Sequence, residues 1–165
     1  MDIEFTGGEE FRKKLEEMLG GHKIGLRIGF FEGATYPDGT PVANVAALNE
    51  FGHLNRMPKG GGPQSRTESR PFFSRMLNEK SPLWSNRVVN LHKRYKGDMH
   101  QVFRALGQSI AQDLQQAIVD FNDPADKDST INRKGFKGGA QATLQDTKVM
   151  LNSVAYEVDG EQVKP

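Results

Sequence analysis

Between Met99 and Phe121 the apolar residues are Met99, Val102, Phe103, Leu106, Ile110, Leu114, Ala117, Ile118 and Phe121. Steps of three and four keep all of them on one stripe of a helix of about six turns. A stripe that long needs an apolar surface along its length, so this helix is expected to be central and the other elements to pack around it. Gly97 closes whatever precedes it, and Asp98 is placed to cap its first turn.

The remaining pattern supplies partners for that stripe. Phe11, Leu15 and Leu19, with Met18 alongside, recur at helical spacing in residues 9–19, and Gly20-Gly21 stops them. Residues 23–31 alternate, with Ile24, Leu26, Ile28 and Phe30 on one side, which predicts a strand with one buried face. A Tyr36-Pro37-Asp38-Gly39 turn follows. Thr40 as N-cap and Pro41 at the first helical position then predict a helix ending at Phe51-Gly52. Helical pattern resumes at Pro71 and runs to about residue 96, with Pro82 predicting a break or kink near Lys80-Ser81. A short turn or helix at 147–152 leads to a strand at 153–158 in which Val154, Tyr156 and Val158 share a face. The fold class read from this order is α+β, helices on a small antiparallel sheet, in a single domain over residues 1–165 with its core at about 9–158.

Charge and composition narrow the function. Twenty-two basic residues stand against 21 acidic ones for a net charge of +1, which disfavours a protein that holds nucleic acid through its overall field. There is no cysteine, so disulfides and thiolate metal sites are excluded, in keeping with assembly in a reducing compartment. Residues 1–5 lack the basic start and apolar stretch of a signal peptide, and no apolar run approaches the roughly 20 residues that cross a bilayer. The expectation is a protein neither exported by that route nor membrane-spanning.

No constellation of catalytic residues stands out, and no catalytic residue, metal or cofactor is expected. His22, His53, His92 and His100 have no second ligand at a recognised spacing. Asp123, Asp126 and Asp128 carry Pro124 between them and lack the glycine and terminal glutamate of a calcium loop. Gly29 and Gly33 lead into a turn and not a helix N-terminus, against a dinucleotide fingerprint. Arg87, His92, Lys93, Arg94 and Lys96 form a basic run that fits a solvated helix face better than a DNA contact.

Two polar stretches, 53–69 and 122–143, are rich in glycine and carry little apolar residue pattern. They are expected to be long loops, and loops of that length tend to be functional or disordered. Arg56, Lys59, Arg66, Arg70, Lys134 and Lys137 are the candidate contacts to acidic partner surfaces, against simple solvation of each side chain.

Three ordered stretches carry a resemblance. The first runs from Ile28-Gly29-Phe30-Phe31 through Pro37-Asp38-Gly39-Thr40 to Asn49-Glu50-Phe51-Gly52; the second is Arg70-Pro71-Phe72-Phe73. The third is Leu144-Gln145-Asp146-Thr147 followed by Met150-Leu151-Asn152-Ser153-Val154-Ala155-Tyr156. Together they resemble the neck or minor tail proteins of long-tailed bacteriophages, the family that includes the tail-completion proteins of lambda-like phages. There are two departures: the stretch between Gly52 and Arg70 is longer and more glycine-rich than the family's, and Lys148 stands where the family usually has glycine.

The resemblance implies a non-enzymatic virion protein, made in the host cytoplasm, that helps join the capsid connector to the tail tube. It implies as partners further copies of itself in a cyclic, six-membered ring, a head-connector or stopper protein, and a tail-terminator or tail-tube protein, with genomic DNA in the channel. A tail terminator or another minor tail ring protein is the nearest alternative. A phage hydrolase, which would need a pocket of convergent polar groups, and a DNA-binding module, which would show steeply salt-dependent affinity, are the alternatives of other classes.

Overall fold

A computed structural model describes residues 9–21, 23–55, 57, 60–62, 64–121 and 148–165, with the side chains of residues 10, 11 and 14 left aside. In chain order the elements are α1 (Glu9–Leu19), β1 (Leu26–Phe30), α2 (Val42–Phe51), β2 (His53–Leu54), β3 (Arg66–Thr67), α3 (Phe72–Arg94), α4 (Met99–Asp120), α5 (Val149–Asn152), β4 (Val154–Val158) and β5 (Glu161–Val163). The fold is α+β, with small antiparallel sheets packed against helices. Among the described residues no helix is long and apolar enough to cross a membrane.

The residues gather into two compact units. One combines the chain up to Gly29 with Arg75–Leu114 and Val154–Pro165; the other combines Phe30–Ser74 with the described part of Gln115–Ser153.

In the first unit the sheet order is β1-β4-β5, so the C-terminal strand β4 is central. Val154, Ala155 and Tyr156 are buried in succession. Successive strand residues point to opposite faces, so both faces of β4 are covered. Arg27 of β1 donates through Nε (3.0 Å) and Nη2 (2.6 Å) to Glu157 Oε1, and the Gly25 N–H donates to Asp159 Oδ1 at 2.7 Å. The hairpin from β4 to β5 turns at Asp159-Gly160, both at positive φ (49° and 89°), which matches the twist of the flanking strands. Sequence reasoning passed over β5; that Asp-Gly pair was its signal.

Helix α4 lies on this sheet at close range. A Cβ built on Gly107 would come within 2.6 Å of Tyr156 Cδ2 and 2.9 Å of Leu26 Cδ1. Only glycine admits that approach, which offsets the roughly 1 kcal/mol that glycine costs a helix interior. Val102, Phe103, Leu106, Ile110 and Leu114 are buried as the stripe predicts. Asp98 accepts from the Gln101 backbone N–H through Oδ1 and from the Gln101 side-chain amide through Oδ2, each at 3.1 Å. That local cap is the one the sequence marks.

Of the break or kink expected at Pro82, helix α3 shows no break. It runs from Phe72 to Arg94 without interruption, and Pro82 sits inside it. Met76 before the proline and Trp84 and Val88 after it are all buried, so packing on both sides holds the helix together. Pro82 and Asn78 are exposed, so the Asn78 carbonyl that loses its amide partner faces solvent. The start of α2 is also corrected: the capping position is Pro41 and not Thr40, and no side chain caps it.

In the second unit Val42 and Ala46 of α2, Phe72, Ile118, Phe121 and Met150 are buried. The Gln115 side-chain amide donates to the Leu151 carbonyl at 3.3 Å, tying the end of α4 to α5.

Candidate functional site

The stretch between α1's unit and α3 is organised by a junction built from two of the sequence motifs. The first turn of α3 has no local cap, because Pro71 precedes it and offers no side-chain acceptor. Glu50, 23 residues upstream on α2, supplies one: its carboxylate accepts from the backbone N–H of Phe73 (2.9 Å) and Ser74 (3.0 Å) and from the Ser74 hydroxyl. The Phe72 N–H is met by the Arg70 carbonyl at 2.8 Å. Glu50 is the only buried charged residue among those described, at 7% exposure. A carboxylate at a helix N-terminus gains both these charge-assisted bonds and the favourable end of the helix dipole.

Asn49 and Arg70 close the junction alongside. The Arg70 N–H donates to the Asn49 carbonyl at 2.6 Å, and an Arg70 guanidinium nitrogen donates to Asn49 Oδ1 at 3.3 Å. The Asn49 amide is aimed by its own bond to the Val45 carbonyl at 2.9 Å. Gly52 then leaves α2 at φ 69°, ψ 166°. A Cβ there would meet the backbone of Ser69 (N) and Thr67 (O) at 2.8 Å, so glycine is required both for its φ and for the approach of the returning chain.

Beyond the junction, the ends of the expected loop 53–69 pair as a short ribbon. His53 pairs with Thr67 and Leu54 with Arg66 in antiparallel register. Asn55 extends the pairing: its N–H donates to the Ser65 carbonyl (2.8 Å), its amide to the Ser65 hydroxyl (3.0 Å), and its Oδ1 accepts from the Thr67 hydroxyl (3.2 Å). The Gln64 side chain donates to the Asn55 carbonyl at 2.7 Å. Polar side chains thus make a ribbon where apolar alternation is missing.

The predicted contact residues divide accordingly. Arg66 is exposed on β3, whereas Arg70 is half-buried and built into the junction. Arg56, Lys59, Lys134 and Lys137, with the loop 122–143 and the Leu144–Thr147 part of the third motif, lie outside the described residues. The described part of that motif forms α5 and the entry to β4, with Lys148 at φ 56°, the left-handed conformation that glycine adopts without cost.

What the sequence reading missed is apolar. Leu48 (44% exposed), Phe51 (57%), Leu54 (64%) and Met57 (61%) stand out from the end of α2 and from β2 onward. The signal was in α2, whose apolar residues Val42, Val45, Ala46, Leu48 and Phe51 surround the helix and do not line one face.

The other candidates resolve differently. Arg87, first of the basic run, donates to the Ser109 hydroxyl at 2.9 Å and pairs with Asp113, so it ties α3 to α4. Lys93, Arg94 and Lys96 are exposed, the first two in the last turn of α3, where cations complement the dipole. Among the described residues no three His, Asp or Glu side chains converge as a metal site. The chain matches no protein-family model, no curated protein and no solved structure.

Proposed function

We propose that this chain is a structural subunit of a tailed-phage neck, one copy in a ring that joins the capsid connector to the tail tube. The reading rests on the ordered set of three motifs, and one observation supports it most: the residues that make up two of them are joined to each other. Asn49 and Glu50 of the first hold Arg70, Phe73 and Ser74 at and after the second. Motifs that meet as one buried lock belong to a shared architecture more readily than motifs that recur by chance. A fold with an exposed apolar surface beside that lock suits work done through subunit contacts.

The test is location. Particles of the phage encoding this chain, carrying a tagged copy, are reconstructed by cryo-electron microscopy. The tag should decorate a closed ring between connector and tail tube. Its absence from particles, or its presence as an isolated copy, overturns the proposal; a ring at the far side of that junction moves the assignment to the tail terminator.

A further inference from the structure

We draw no further inference here: the strongest candidate, the surface patch of Leu48, Phe51, Leu54 and Met57 running from the end of α2 into the ribbon, is an unpartnered apolar face, and nothing in the structure shows what covers it.

Discussion

The N-terminus of α4 is capped from within its own first turn, by Asp98 acting on Gln101, whereas that of α3 is capped by Glu50 from another helix. The first device is local, exposed and worth little beyond one helix. The second is buried and links two elements, so its loss releases the returning chain as well as a helix end. A helix start that lacks a cap in its own sequence is therefore a place to look for a distant one.

Several substitutions sharpen that contrast. Gly52→Ala should do most damage, about 3 kcal/mol or more, because it sets a Cβ against fixed backbone and imposes an unfavourable φ. Chemical denaturation measures it, and a loss under about 1 kcal/mol would show that the ribbon base yields. Glu50→Ala should cost about 1.5–3 kcal/mol through the amides it leaves unmet. Amide exchange should then quicken in the first turn of α3 while the first turn of α4 is unchanged; equal quickening at both would erase the distinction.

Lys148→Gly tests whether the second unit imposes other conformations that its local sequence resists. Removing the side chain at φ 56° should raise stability by about 0.5–1 kcal/mol, read as a higher denaturant midpoint. Asp98→Ala should lower the midpoint by less than Glu50→Ala does. The smallest effect is on pH. The Gln101 backbone N–H holds the Asp98 carboxyl below its ordinary 3.8, and the Thr40 N–H does the same for Asp38. A lowered folded-state value stabilises the protein above pH 3.8 and loses that contribution as pH falls through the folded value. Asp98→Asn should flatten this part of the acid unfolding curve, and an unaltered curve would remove Asp98 from the account.

The same division governs what could be read in advance. Helices α1 and α4, strands β1 and β4, the Pro37-Asp38-Gly39 turn and the Asp98 cap all follow from neighbours within a few residues, and the sequence marks each of them. Pro82 does not break α3 because Met76, Trp84 and Val88 pack on either side of it. The ribbon was hidden because its strands are two residues long and Asn55 does the work of a ladder. Of the candidate contacts, Arg66 is exposed, and nothing in the local sequence of Arg70 shows that Asn49 holds it. Beyond the all-round apolar pattern of α2, the exposure of Leu48, Phe51, Leu54 and Met57 has no mark in their local sequence.

Because Asn49, Glu50 and Gly52 clamp the chain at residues 67–74, what lies between is bracketed like a cassette. Doubling the length of a flexible insert adds only about 0.6 kcal/mol of closure entropy once its ends are held. The stretch between the strands of the ribbon is thus where an insertion or deletion should leave the rest of the fold intact, and where a foreign peptide can be displayed.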